Sequence, residues 1–274
     1  MKKLCIYHGG CYDGYGAYMS VVHHFGTEFV EGHPGKYGEA PPDVTGREVF
    51  IVDFSYKRDV LIEMAKQATR IVIIDHHKTA EADLTDLNIP NVEVNFDMTR
   101  SGAMMTWNYF NKEQAPDLLL HIQDRDLWNW KLPWTKEVML AVCSYPMEES
   151  VWFDLMDKPV RELMMEGCVL LRKHDIEVQK LVANAHEEGP DKIPCVNVLP
   201  QYASDVLNIL AEGKPYAMGF TDVGFERRFS LRSSADGVDV SEIAKKYGGG
   251  GHKHAAGFSL TIRHIDYVGL KGLV

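Results

Sequence analysis

The stretch Ile71-Val72-Ile73-Ile74-Asp75-His76-His77 (IVIIDHH, 71–77) decides the fold class. Four consecutive β-type apolar residues, closed off by polar ones, read as a short strand. Just before it, KRDVLIEMAKQAT (57–69) sets Val60, Leu61, Met64 and Ala68 on one helical face. VFIVDF (49–54) reads as another strand, and LCIY (4–7) as a third, followed by a helical stretch from about Asp13 to Phe25. Beyond the opening stretch come a short acidic helix (80–87), a strand VEVNF (92–96) and a helix for which Ser101 is the N-cap. Strands alternating with helices imply βαβ units and a mostly parallel sheet.

From about 100 to 187 the pattern is helical, ending in a long stretch (158–187) of the kind that bridges two domains. Trp107, Trp128, Trp130 and Trp134 could stack on bases, but their spacing suits a helical core better. After Gly189-Pro190 strands return as CVNVL (195–199), YAMGFTD (216–222) and ERRFSLRS (226–233), the last two flanking a Val223-Gly224 turn. A helix (239–247), the run GGGGH (248–252) and a strand AAGFSLTI (255–262) follow. The expected architecture is α/β: a parallel-sheet N-terminal domain over 1–145, a helical linker over 146–190, and a smaller α/β domain over 191–274.

Charge narrows the function. The 274 residues carry 29 Lys+Arg against 39 Asp+Glu, a net charge of −10. So acidic a chain is repelled by long duplex DNA and by anionic membranes. Cys5, Cys11, Cys143, Cys168 and Cys195 are odd in number and scattered, which fits reduced thiols. The start has too few apolar residues for a leader, and no apolar run approaches the ~20 residues of a membrane span. The expected location is cytoplasmic; a homodimer is left open.

Three of the strands end on metal-type ligands. His8 and Asp13 follow the first, Asp53 closes the second, and Asp75, His76 and His77 close the third. In an open parallel sheet these carboxyl-terminal ends line one edge, where ligand crevices form. Aspartate and histidine without a thiolate pair suit Mn²⁺ or Mg²⁺ better than structural zinc. Asp124 in IQDRDLW adds a carboxylate. His23, His24, His121, His174, His186 and His264 carry no partner pattern and read as structural or surface residues.

Six segments in order, HGGCYDGYGA (8–17), IVDFS (51–55), IIDHHKT (73–79), SGAMMTW (101–107), QDRDLW (123–128) and GGGGHKHAAG (248–257), resemble the DHH phosphoesterases with their DHH-associated C-terminal domain. The resemblance covers residues 3 to about 262. It implies a site for two Mn²⁺ ions, with Mg²⁺, Zn²⁺ or Fe²⁺ as other occupants. His8 and Asp53 would hold the first; Asp13, Asp53, His76 and Asp124 the second, Asp53 bridging. Asp75 would fix a neighbouring imidazole, and His77 would face the scissile phosphate. Where many members have Asp-x-Asp-Gly, this chain has Cys11 in the first place; a thiolate there would favour Zn²⁺ or Fe²⁺, whereas a neutral thiol beside the shell would not.

Two such cations neutralise a phosphodiester and supply a nucleophile at neutral pH. For the substrate, Gly249, Gly250 and Gly251 leave backbone N–H groups accessible, and His252 follows them as a donor. Arg232 sits on a strand and offers a bidentate phosphate clamp. Arg100 and Ser101 open a helix whose N-terminus favours anions, although capping is the leading role for Ser101. The expected substrate is a short oligonucleotide or dinucleotide, cut to mononucleotides. Alternatives on the same fold are a cyclic-(di)nucleotide phosphodiesterase, a 3′,5′-bisphosphonucleotide phosphatase and a single-strand exonuclease; a non-catalytic nucleotide sensor is the alternative of a different class.

Overall fold

A computed structural model describes residues 2–262, which leaves His264 outside the described residues. The chain divides into two compact units, Met1–Arg172 and Lys173–Val274.

In the first unit the elements run β1 (Lys3–His8), α1 (Tyr12–Phe25), β2 (Val30–Gly35), β3 (Glu48–Val52), α2 (Arg58–Ala65), β4 (Arg70–Asp75), α3 (Lys78–Leu84) and β5 (Val92–Phe96). Helices α4 (Gly102–Phe110), α5 (Asp117–Asp126), α6 (Thr135–Val142), α7 (Glu149–Asp157) and α8 (Val160–Ala183) follow, and the division between units falls within α8. The five strands form one sheet in the order β2-β1-β3-β4-β5, every pair parallel. Side chains alternate across a strand, and here the alternation feeds two cores. Cys5, Phe50, Val52, Val72 and Ile74 pack with α1, α4, α5 and α6 residues on one face. Leu4, Ile6, Val49, Ile51, Ile71 and Ile73 pack with Leu61 and Met64 of α2 on the other. Burial on both faces is why these strands read as unbroken apolar runs.

Two features depart from the reading of the sequence. Strand β2, VEGHPG, is absent from it because Gly32 and Pro34 resemble a turn; as an edge strand, β2 tolerates a proline that a central strand would not. The tryptophans also separate. Trp107 is core, 1% exposed, but Trp134 is 47% exposed. Helix α5 stops at Asp126, and Trp128, Trp130 and Trp134 lie in the connection to α6 with left-handed φ of 56°, 52° and 65°. The Trp128 and Trp130 rings meet edge-on at 4.8 Å, with the Arg125 guanidinium 4.5 and 5.3 Å from their centroids.

The second unit has β6 (His186–Glu188), β7 (Ile193–Asn197), α9 (Pro200–Leu210), β8 (Ala217–Val223), β9 (Glu226–Arg232), α10 (Val240–Lys245), β10 (Gly250–His252) and β11 (Ala255–Thr261). Its sheet order is β10-β11-β9-β8-β7-β6, mixed, with only β7 and β8 parallel. Strands β8 and β9 form the expected hairpin, with Val223 opposite Glu226. Val196, Val198, Val206 and Leu207 anchor one small core; Leu231, Val240, Ala244 and Ala256 anchor another.

Candidate metal centre

The sheet order fixes where a site can form. From β1 the chain goes outward to β2, then returns past β1 to β3 and continues to β5. The order therefore reverses between β1 and β3, the position at which open parallel sheets bind ligands beyond their carboxyl ends. His8 ends β1, Asp53 follows β3, and Asp75 ends β4.

Three groups of ligand atoms meet there, one of them Asp53, Asp75 and His77. In another, His8, Cys11 and Asp53 each offer an atom within 4.8 Å of the others; in the third, Asp13, His76 and Asp126 do so. Asp53 joins them: its Oδ2 lies 3.3 Å from His8 Nδ1, and its Oδ1 lies 3.0 Å from His76 Nε2. His76 Nε2 is also 3.5 Å from Asp13 Oδ2 and 3.6 Å from Asp126 Oδ2. Asp13, Asp53 and His76 are buried.

Local backbone makes this convergence. Asp53 holds φ 52°, an uncommon conformation for a residue with a side chain, and its N–H donates to Ile74 O at 2.9 Å. The N-terminus of α4 lies against it. A Cβ on Gly102 would stand 2.4 Å from the Asp53 Cβ, so only glycine fits there. Gly102 N and Ala103 N donate to the Asp13 carboxylate at 2.6 and 3.0 Å, which orients Asp13 through the first turn of α4. Asp75 Oδ1 accepts from His76 N at 2.8 Å and lies 2.6 Å from His77 Nδ1.

The electrostatics fit a cation. Burial, then the charges of Asp53 and Asp126, pushes the Asp13 carboxyl well above its usual range. Burial acts the same way on Asp53, but the His76 and His8 rings outweigh it and hold that carboxyl well below the usual range. Neither oxygen of Asp53 accepts a hydrogen bond among the described residues, and His8 Nδ1 donates none. Asp53 oxygens and a His8 ring nitrogen left in this state, beside three gathered carboxylates, match a divalent cation held by O and N ligands.

One expected ligand falls outside these groups. Asp124 is in none of them: its carboxylate accepts from Lys131 N (2.8 Å), Leu132 N (3.1 Å) and Thr135 Oγ1 (2.6 Å). It folds the connection from α5 to α6, and Asp126, two residues on, supplies the carboxylate beside His76. Residues two apart on a helix point about 200° from each other, so one of the pair must turn away. The sequence offers both aspartates and nothing that sets the phase. Cys11, by contrast, is brought beside His8 and Asp53; burial, then the Asp53 charge, pushes its thiol up to about 11.

The expected substrate residues fall into different settings. Ser101 is buried; its Oγ accepts from Met104 N at 3.4 Å, a helix cap. Arg100 Nε donates to Asp97 Oδ2 at 2.7 Å on the loop before α4. In the second unit Arg232 donates to Leu231 O (2.8 Å) and Ser204 Oγ (2.9 Å). Gly249 N donates to Ala244 O, and Gly250, Gly251 and His252 pair with Gly257, Ala256 and Ala255 as the edge strand β10.

Residues 194–267 match the DHHA1 domain family. The chain is 29% identical over 291 residues to an uncharacterized protein of Acanthamoeba polyphaga mimivirus, an alignment covering 94% of this chain and 67% of that one. It is 28% identical over 247 residues to the oligoribonuclease NrnB of Bacillus subtilis (strain 168), covering 78% of this chain but 59% of NrnB. Among solved structures, the pGpG-specific phosphodiesterase PggH of Vibrio cholerae superposes with a TM-score of 0.50 at 15% identity, covering 100% of this chain and 97% of that one. An exopolyphosphatase-related protein of Bacteroides fragilis does so with 0.50 at 10% identity, covering 99% and 91%. These two share the fold. An Asp-His-His strand end in the first unit and a DHHA1 match in the second indicate a metal-dependent phosphoesterase of the DHH/DHHA1 type.

Proposed function

We propose that this chain is a Mn²⁺-dependent phosphodiesterase that hydrolyses short oligonucleotides or dinucleotides to mononucleotides. The observation that carries the reading is Asp53, a buried carboxylate with one oxygen turned to each of two adjacent ligand groups. His8 and Asp53, with Cys11 beside them, would hold one cation; Asp13, Asp53, His76 and Asp126 the other. Cations there supply charge neutralisation at the phosphodiester and a nucleophile at neutral pH. Asp75 fixes the His77 ring through Nδ1 and assigns Nε2 to the phosphate. In the second unit Arg232, His252 and the run Gly249 to Gly251 are assigned to substrate binding, a role supported by the DHHA1 match.

Short substrates are favoured by the −10 net charge, which gives little basic surface for tracking a long strand, and by the similarity to NrnB, named an oligoribonuclease. No described helix is long and apolar enough to cross a membrane. The test is a product time course with Mn²⁺ on 5′-labelled oligonucleotides of graded length, beside linear and cyclic dinucleotides. Mononucleotide release fastest from two- to five-residue substrates is expected. Preference for long strands, or for cyclic dinucleotides alone, would refute the proposal.

A further inference from the structure

Next to the metal centre stands an aromatic residue outside its ligand set. Tyr37 is 57% exposed, yet its ring is fixed on one side by three others. It meets His8 edge-on at 5.5 Å and 71°, His77 edge-on at 6.2 Å and 75°, and Phe54 at 4.9 Å and 44°. His8 and His77 are themselves edge-on at 5.6 Å. The three rings form a triangle, with Tyr37 as its most exposed member. Its backbone is fixed as well. Glu39 N donates to Lys36 O at 3.2 Å, and Gly38 carries φ +85°, as the third residue of a type II turn requires.

We propose that Tyr37 is a specificity-determining residue that stacks on a nucleobase of the substrate whose phosphate lies at His8 and His77. The inference rests on the nucleotide substrate proposed above and goes beyond it by naming the group that reads the base. A phosphate gathered by charged ligands says nothing about what is attached to it; an aromatic face beside it does. Tyrosine suits the task because it offers a large flat surface with few rotatable bonds. Packing against three rings removes much of the freedom that stacking would otherwise have to freeze out. Every base has a π-face, so the preference is for nucleotides over other phosphodiesters and not for one base.

Two measurements on the full chain test this. The first compares kcat/KM for 5′-phosphorylated diadenylate with that for the same diester lacking both bases, in wild type, Tyr37→Ala and Tyr37→Phe. Loss of one stacked base corresponds to about a 5- to 150-fold change. Tyr37→Ala is expected to lower the ratio of the two values at least tenfold, and Tyr37→Phe to rescue it. A ratio unchanged in Tyr37→Ala overturns the inference, because a ring that only props His8 and His77 would affect both diesters alike. The second uses a dinucleotide carrying 2-aminopurine, whose fluorescence is quenched on stacking. Quenching by wild type and Tyr37→Phe but not by Tyr37→Ala supports the platform. Quenching without cleavage in wild type would refute the proposed activity and leave the platform standing. Neither quenching nor cleavage would overturn both.

Discussion

Asp53 Oδ1 lies 3.0 Å from His76 Nε2, although the two residues come from the ends of neighbouring strands 23 positions apart. With Oδ2 turned to His8, this carboxylate is the junction of the His8 and His76 ligand groups. Asp53→Asn is therefore expected to lower Mn²⁺ stoichiometry, measured by elemental analysis, and to abolish turnover, while circular dichroism stays native. More than a tenth of wild-type rate in the variant would exclude the bridging role.

Asp124 and Asp126 should respond in opposite ways. Asp126→Asn is expected to weaken metal binding with little change in the metal-free melting temperature. Asp124→Ala leaves the donors Lys131 N, Leu132 N and Thr135 Oγ1 without their acceptor. It should cost about 1–3 kcal/mol, a drop of roughly 2–12 °C in melting temperature. Calorimetry with metal titration on both variants separates the roles; equal loss of metal affinity at unchanged stability would count against the distinction.

Metal should stabilise the fold by binding only its native state. Saturating Mn²⁺ at about a hundred times its dissociation constant adds about 2.7 kcal/mol, and chelator should reverse the rise. A melting temperature indifferent to Mn²⁺ and chelator would mean that the gathered carboxylates hold no cation. The Asp75→Asn variant should lose about 10- to 100-fold in rate, since Asp75 orients His77.

Cys11 sets a test of metal identity. Cys11→Ser should reduce affinity for Zn²⁺ more than for Mn²⁺ if sulfur enters the shell with His8 and Asp53. Isothermal titration with both ions measures the difference; equal affinities in variant and wild type would leave the thiol a neighbour only.

Asp97 gives a pH marker on the loop before α4. Hydrogen bonds from Thr99 Oγ1, Thr99 N and Arg100 lower its carboxyl to about 2. The folded state thus binds fewer protons there than the unfolded chain. The contribution is present above about pH 4, the unfolded value, and is lost as pH falls towards about 2. Because the group is near the surface, the effect should stay below about 1 kcal/mol. A carboxyl NMR titration with a midpoint near the ordinary aspartate value would show that the turn is not held.

The α/β class, the parallel strands and the polar residues at their ends are legible in the chain before it folds. Each is written locally: IVII and VFIV are apolar because both faces of the strand are covered, and His8, Asp53 and Asp75 stand where those runs stop. Parallel strands carry their carboxyl ends to one edge, so juxtaposition of these ligands follows from topology alone. Only the tertiary structure chose between Asp124 and Asp126, since that depends on which carboxylate Lys131, Leu132 and Thr135 reach from the next segment. It alone placed the tryptophans of the α5–α6 connection outside the core, drew VEGHPG to the sheet edge as β2, and set Tyr37 beside His8 and His77. Periodicity records how much of a residue is buried. It carries no record of which distant atom lies against it.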